Sequence, residues 1–266
     1  MRIAVVGLGL IGGSIALGLA GRHQVRGYDL DEGTRRAARS RGLDVADAMA
    51  DVLPADAVVV ATPLAAIVPT LEELVPRCGE AILIEVGSLK SAVAAFAERA
   101  PQSSRIVGLH PMAGSTASGL GAADPAIFQG RRFIVVPTAR SDERATAIAN
   151  DLARELGGSI TLCSPELHDR AIAVVSALPL ATAVALARIV GEVVPLPLDA
   201  VAGPGIRDAT RLASTPTDLA LALLRAPGLA EHLASLREAL TDIEDALGDD
   251  ATLRALLDGS SARRPT

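Results

Sequence analysis

Short apolar runs alternate with longer, partly polar stretches through the first 163 residues of the chain. The runs are rich in Val, Ile and Ala, which is typical of strands covered on both faces of a parallel sheet. The predicted strands are residues 3–6, 24–28, 57–61, 81–85, 106–109, 132–136 and 159–162. The predicted helices are residues 10–20, 32–41, 65–75, 89–100 and 143–156. This alternation predicts an α/β fold with a doubly wound, mostly parallel sheet of the Rossmann type.

The pattern changes after Cys163. The remaining residues carry no strand signal and form Ala- and Leu-rich helical stretches that Pro and Gly interrupt. We therefore predict two domains, an α/β domain over residues 1–163 and an all-helical domain over residues 164–266.

One stretch of the helical domain, residues 171–191, is apolar over almost the length of a membrane span. Asp169 and Arg170 precede it, and both Pro179 and Arg188 lie within it. These interruptions favour a buried helix of a globular domain over a membrane span.

The composition limits the function classes. The chain has 266 residues with a net charge of −6, no Trp, one Tyr and three Phe. Scarce aromatic residues and negative charge argue against a nucleic-acid surface. Cys78 and Cys163 have no metal-ligand spacing and predict reduced thiols in a cytoplasmic protein. No metal site and no membrane partner are expected.

A glycine motif follows the first predicted strand. In "VVGLGLIGGS", Gly7, Gly9 and Gly12 have the G-x-G-x-x-G spacing and open the first predicted helix. Such a loop lets backbone N–H groups approach a pyrophosphate at a helix N-terminus, so a dinucleotide is the expected ligand. The loop residues predicted to bind it are Gly7, Leu8, Gly9, Leu10, Ile11 and Gly12.

A carboxylate at the end of the second predicted strand supports this prediction. Asp29 lies about twenty residues after the motif, where a carboxylate accepts the ribose hydroxyls of NAD and repels the 2′-phosphate of NADP. Arg26 and Arg35 lie nearby and leave NADP open as the less favoured cofactor. Thr62 and Pro63, in "VVVATP", are predicted to line the nicotinamide ribose.

Polar residues also follow two later strands. Ser88 and Lys90 follow one strand in "IEVGSLK", and His110 follows another in "GLHPMAGS". Because ligands of open α/β sheets bind beyond the carboxyl ends of the strands, Ser88 and His110 are expected to converge above the cofactor. His110 is then a candidate general base.

Six segments together resemble one family. "GLGLIGGSIA", "VVVATP", "VGSLK", "GLHPMAGS", "HDRAIAVVSALP" and "GIRDATRLAS" are similar, in order, to the prephenate/arogenate dehydrogenases of tyrosine biosynthesis. The resemblance covers nearly the whole chain. It implies a Rossmann domain followed by a helical domain that forms a homodimer.

The family chemistry implies roles for the predicted site residues. The enzymes move a hydride from C4 of a cyclohexadienol to nicotinamide, and CO2 leaves as the ring becomes aromatic. By resemblance, His110 accepts the proton of the 4-hydroxyl, and Ser88 orients His110 or the hydroxyl. The residues implied in substrate binding are Arg207, Arg211, Ser176, Thr116 and Lys90. His168 and Asp169 are expected to have a structural role at the start of the long helix.

The chain departs from the family pattern on the substrate side. Many members have histidines where this chain has Ala177 and Leu180, and Glu where it has Thr116. Prephenate is the expected substrate because these positions offer no counter-charge for the ammonium group of arogenate. Arogenate and a 4-amino-4-deoxyprephenate-type compound stay open as alternatives.

Two further functions are alternatives. A β-hydroxyacid or imine-reducing dehydrogenase would need a lysine on the first long helix of the helical domain, but Lys90 is the only lysine in the chain. A non-catalytic NAD-binding sensor would not need His110, Ser88 and Arg211 together. Neither alternative agrees with the sequence as well as a prephenate/arogenate dehydrogenase does.

Overall fold

The structure, a computed structural model, describes residues 1–115, 117–193 and 201–261. Its strands are β1 (Arg2–Val6), β2 (Gln24–Tyr28), β3 (Asp44–Val45), β4 (Ala57–Val60), β5 (Ile82–Glu85), β6 (Arg105–Pro111), β7 (Arg132–Pro137) and β8 (Ser159–Leu162). They form one sheet in the order β3-β2-β1-β4-β5-β6-β7-β8. Only β6 and β7 pair in antiparallel fashion. The predicted α/β fold with a mostly parallel sheet is therefore confirmed.

Helices cover both faces of the sheet. They are α1 (Leu10–Leu19), α2 (Glu32–Ser40), α3 (Leu64–Leu74), α4 (Ser91–Arg99) and α5 (Glu143–Glu155). Successive residues of β1 point to opposite faces: Val5 packs in the same core as α1 and α5, and Ala4 packs in the core with α3 and α4. Burial on both faces explains why the strands are apolar without alternation.

Two local details differ from the predictions. Strand β3 has only two residues and was not predicted, since so short a strand carries no periodic signal. Strand β6 is longer than predicted and continues to Pro111, so that His110 lies within the strand opposite Ile134 of β7. The ladder thus holds the backbone of His110.

The helical domain begins directly after β8. Its helices are α6 (Pro165–Ile172), α7 (Leu178–Val193), α8 (Pro204–Thr210), α9 (Thr217–Leu223), α10 (Leu229–Ala246) and α11 (Asp250–Ser261). A π-helical turn, Ala173–Ala177, joins α6 to α7. Pro179 has no N–H for the carbonyl of Val175, which explains the change of helical register at this point.

The expectation that residues 171–191 are buried is wrong for the single chain. On one side, Ile172, Ala173, Ala177, Leu180 and Ala183 are buried, and Ala173 and Ala177 pack against Ala226 and Leu229. On other sides the apolar side chains of Val174, Val175, Val184 and Ile189 are exposed. The helix over residues 165–192 is long and apolar enough to cross a membrane by length and composition alone. However, its first turns carry the buried polar residues His168 and Asp169.

Candidate active site

The glycine loop lies at the carboxyl end of β1, at the centre of the sheet. Gly7 has a φ of +92°, and a Cβ on it would lie 2.6 Å from the carbonyl oxygen of Ala61. A Cβ on Gly12 would lie 1.8 Å from the carbonyl oxygen of Gly7. A Cβ on Gly9 would meet no protein atom within 4 Å. Two glycines are therefore required by the fold, and the third leaves space above the loop.

The space above Gly9 suits an anion. Gly9 is the N-cap of α1, no side chain caps this N-terminus, and the first turn has no acidic residue. The free N–H groups and the helix dipole therefore favour a phosphate here. The Asp29 carboxylate accepts hydrogen bonds from Leu8 N at 2.7 Å and Asp31 N at 2.9 Å. Each oxygen keeps a second acceptor site for a ribose hydroxyl.

Two hydroxyl groups that follow neighbouring strands of the sheet have buried oxygens. Thr62 follows β4 and Ser88 follows β5, and neither Oγ1 of Thr62 nor Oγ of Ser88 has a hydrogen-bond partner within the described residues. Buried hydroxyl groups in folded proteins are normally hydrogen-bonded. Their position at the carboxyl edge of the sheet fits a bound cofactor and substrate, and Pro63 is exposed at the same edge.

His110 stands at the same edge and is linked to a second histidine. It is partly exposed, and its Nδ1 lies 2.9 Å from Nε2 of His168, the first buried residue of α6. His168 Nδ1 lies 2.7 Å from Oδ1 of the neighbouring Asp169. The two rings meet edge to face with centroids 5.1 Å apart. The sequence alone did not connect His168 to His110.

Asp169 joins the helical domain to the α/β domain. Its Oδ1 accepts the backbone N–H of Lys90 at 2.8 Å, and its Oδ2 accepts both the backbone N–H of Ser91, at 2.9 Å, and the Ser91 hydroxyl. Burial raises the pKa of Asp169, but the hydrogen bonds from His168, Ser91 and the two backbone groups outweigh it and lower the pKa to about 2. Asp169 is therefore a carboxylate at neutral pH.

The structure does not agree with the prediction that Lys90 contacts the substrate. Its side chain is 1% exposed, and Nζ donates to Glu85 Oε1 at 2.6 Å and to the Gly87 carbonyl at 2.7 Å. Burial lowers the pKa of Lys90 and raises that of Glu85, and their contact opposes both shifts. The ion pair lies beneath the site and acts on it through its charge.

The electrostatics of the site keep His110 neutral. Burial lowers the pKa of His110 well below its usual value, the positive charge of Lys90 and the proximity of His168 lower it further, and Asp169 opposes them. A neutral imidazole has one nitrogen with a free lone pair. His110 can thus accept a proton.

The predicted substrate residues of the helical domain lie apart from this network. Arg207 is exposed in α8, and Arg211 is exposed at the start of a 3₁₀ turn, so that they do not share one α-helix. No hydrogen bond or ion pair joins either of them to His110 within the described residues. Ser176 is partly exposed in the π-helical turn. Thr116 lies outside the described residues.

Comparisons with known proteins identify the family of the chain. The family described as "Prephenate dehydrogenase, nucleotide-binding domain" matches residues 15–162, and "Prephenate dehydrogenase, dimerization domain" matches residues 164–252. The chain belongs to the prephenate dehydrogenase family. The predicted family is therefore confirmed.

Individual relatives include both substrate types. The chain is 35% identical to a prephenate dehydrogenase of Bacillus subtilis over 80% of its own length, and it spans 60% of the length of that relative. A Synechocystis arogenate dehydrogenase structure has a TM-score of 0.82 and 30% identity, with 98% of both chains covered. An A. aeolicus prephenate dehydrogenase, solved with hydroxyphenyl propionate and NAD+, has a TM-score of 0.89 and 25% identity, with 99% of this chain and 97% of that one covered.

Proposed function

We propose that this family member catalyses the NAD-dependent oxidative decarboxylation of prephenate to 4-hydroxyphenylpyruvate in tyrosine biosynthesis. The observation that carries the proposal is the partly exposed imidazole of His110, which is bonded to His168 and lies at the same sheet edge as the glycine loop. A sheet edge of this kind brings a dinucleotide and a proton acceptor together.

The residues of the loop fit NAD. The backbone at Gly9 and the N-terminus of α1 would hold the pyrophosphate, Asp29 the ribose, and Thr62 the nicotinamide side. Both arginines that could hold the extra phosphate of NADP have other partners: Arg26 lies 3.6 Å from Asp44, and Arg35 donates to the backbone carbonyls of Asp29 and Leu30. When bound, NAD supplies the acceptor for the hydride of substrate C4.

His110 would move one proton. Its unprotonated nitrogen accepts the proton of the substrate 4-hydroxyl while the C4–H bond breaks and a C4 carbonyl forms. The C1–carboxylate bond then breaks, CO2 leaves, and its electron pair makes the ring aromatic and O4 a phenolate. His110 returns the proton to O4. Ser88 would orient the substrate hydroxyl with its otherwise unpartnered Oγ.

Two apolar positions of the helical domain favour prephenate over arogenate. Ala177 and Leu180 are buried and apolar, so they offer no counter-charge for an ammonium group. The Synechocystis relative, an arogenate dehydrogenase, keeps arogenate as the second candidate. A spectrophotometric assay at the NADH band, with prephenate, arogenate and 4-amino-4-deoxyprephenate, each with NAD and with NADP, tests substrate and cofactor together. No turnover with any pair would contradict the proposal and favour an NAD-binding sensor.

Arg211 is proposed to bind a substrate carboxylate. Its exposed guanidinium has no ion-pair partner among the described residues and can form a bidentate contact. Arg211→Ala is expected to raise the KM for prephenate about 10- to 100-fold, the equivalent of losing a charged hydrogen bond. Steady-state kinetics measure this, with the exposed Arg237→Ala as the matched control. An unchanged KM would contradict the assignment.

We also propose a homodimer through the helical domain. Among the residues that the structure describes, the exposed large hydrophobic side chains other than Met1 and Leu30 all lie at or after Leu162. An apolar surface of this kind is typical of a protein interface, and the matching family description names a dimerization domain. The two free cysteines agree with a cytoplasmic location.

A charge on this surface should separate the subunits. Ile189→Asp places a carboxylate on exposed α7 and is expected to weaken the dimer by about 3 kcal/mol, roughly a 100-fold rise in its dissociation constant. Sedimentation velocity measures this constant. Leu30→Asp, a charge at an exposed leucine of the α/β domain, is the control and should remain dimeric. A monomeric wild type would contradict the homodimer.

The low pKa of His110 predicts the pH profile. Protonated His110 cannot accept the hydroxyl proton, so kcat/KM falls as the pH drops through its pKa. Burial, Lys90 and His168 lower this pKa against the opposing Asp169, so the acid limb is expected below pH ~6.5. The profile of His23→Gln, which alters a histidine paired with Glu155 outside the site, should overlay that of wild type. An acid limb above this pH would contradict the prediction.

A further inference from the structure

We propose that His168 is a positioning residue that, together with Asp169, holds His110 in the tautomer with its free lone pair on Nε2. The inference rests on the proposed function for its catalytic meaning. It rests on the contacts of three described residues for its chemistry: His110 Nδ1 to His168 Nε2 at 2.9 Å, and His168 Nδ1 to Asp169 Oδ1 at 2.7 Å.

The Asp169 carboxylate determines which nitrogen carries the proton in each of the two histidines. A carboxylate has no proton to donate, so His168 Nδ1 must donate to Asp169. A neutral His168 then carries no proton on Nε2, which can only accept. His110 Nδ1 is therefore the donor of the contact between the rings. The one proton of neutral His110 lies on Nδ1, and its Nε2 is the unprotonated nitrogen.

Contacts from the α/β domain fix the direction of the hydrogen bonds that run from His110 through His168 to Asp169. Asp169 accepts hydrogen bonds from Lys90 N, Ser91 N and the Ser91 hydroxyl at the N-terminus of α4. All three groups are donors, and together with His168 they occupy both oxygens. The side chains of His168 and Asp169 are 0% and 2% exposed, so water does not compete for them. The packing of α6 against α4 thus sets the tautomer of His110 on β6.

The same hydrogen bonds would stabilise the protonated His110 that forms in the reaction. When Nε2 takes the hydroxyl proton, His110 becomes an imidazolium whose Nδ1–H still donates to His168. The dipole of His168 and the charge of Asp169 are oriented toward this positive charge before the reaction begins. No atom of His168 or Asp169 touches the substrate in this scheme.

The tautomers can be measured without substrate or cofactor. The chain has four histidines, so long-range ¹H–¹⁵N correlation spectra of the full-length protein with ¹⁵N-labelled histidine give resolvable ring patterns. His23→Gln and His232→Gln assign the two histidines outside the network. At pH 8 we expect both His110 and His168 to be protonated on Nδ1 and unprotonated on Nε2. His110 protonated on Nε2, or His168 protonated on both nitrogens, would overturn the proposal.

Asp169→Asn provides the matched perturbation. With its NH2 group in the place of Oδ1, the asparagine loses the hydrogen bond from Lys90 N and donates to His168 Nδ1. This moves the proton of His168 to Nε2 and that of His110 to its own Nε2. We expect this reversed pattern in the spectra, a loss of kcat of about 10²–10⁴-fold, and an unchanged dissociation constant for NAD by calorimetry. Ser91→Ala removes one contact to Asp169 but keeps its charge, and should retain the wild-type tautomers.

The outcomes separate this inference from the proposed function. Wild-type protein with the expected tautomers but no turnover of any candidate substrate would contradict the function and leave the positioning role supported. Turnover with His110 protonated on Nε2 would support the function and contradict the positioning role. If Asp169→Asn does not fold, the wild-type spectra and those of His168→Phe, which removes the acceptor of His110 Nδ1, still decide the question.

Discussion

His110→Asn is expected to lower kcat for prephenate about 10²–10⁴-fold, the usual contribution of a positioned general base. Asparagine has no basic nitrogen at the position of Nε2, so it cannot accept the proton of the substrate hydroxyl. Its amide can still donate to His168 Nε2, which His110 contacts at 2.9 Å. The variant therefore removes the proton acceptor and keeps the contact behind it.

Cofactor binding should report that the site is otherwise intact. The glycine loop and Asp29 follow β1 and β2, and the side-chain hydrogen bond of His110 goes to His168 and not to them. The dissociation constant for NAD, measured by calorimetry, is expected to stay within about twofold of wild type. Turnover near the wild-type rate would exclude His110 as the base. Loss of NAD binding would instead indicate that the substitution disturbs the sheet edge.

Gly12→Ala is expected to destabilise the fold itself. Its Cβ would lie 1.8 Å from the carbonyl oxygen of Gly7 and 2.8 Å from Cβ of Ala61. Neither α1 nor β1 can move away, because each is buried in the core of the α/β domain. Overpacking of this kind costs about 3 kcal/mol or more, which corresponds to a fall in Tm of roughly 10 °C. Thermal unfolding measures the loss, and NAD binding should be lost with it.

Gly9→Ala is expected to weaken NAD binding without changing the stability of the fold. Its Cβ meets no protein atom within 4 Å, so the Tm should match that of wild type. The methyl group fills the space proposed for the pyrophosphate and should weaken NAD binding roughly 10- to 100-fold, about the value of one charged hydrogen bond. Gly21→Ala, on an exposed turn with no atom within 4 Å of the added Cβ, is the control for both measurements. Unchanged NAD affinity in Gly9→Ala would contradict the proposed phosphate site.

The sequence by itself determined the parts of this protein that depend on neighbours along the chain. Strands buried on both faces need continuous apolar residues, and a tight turn into a helix N-terminus needs glycines at defined spacing. Both requirements are visible as local patterns. Because the carboxyl ends of parallel strands lie at the same edge of a sheet, these local patterns also place Gly7, Thr62, Ser88 and His110 at one edge.

Only the tertiary structure decided which side chains meet across the two domains. His168 lies 58 residues from His110, and its contact depends on how α6 rests on α4. Lys90 follows a strand as a ligand residue would, yet its charge is buried against Glu85. The long apolar helix looks buried by composition, but several of its apolar side chains, such as Val175 and Ile189, are exposed. Contacts of this kind arise from the relative placement of distant segments, which periodicity and spacing do not encode.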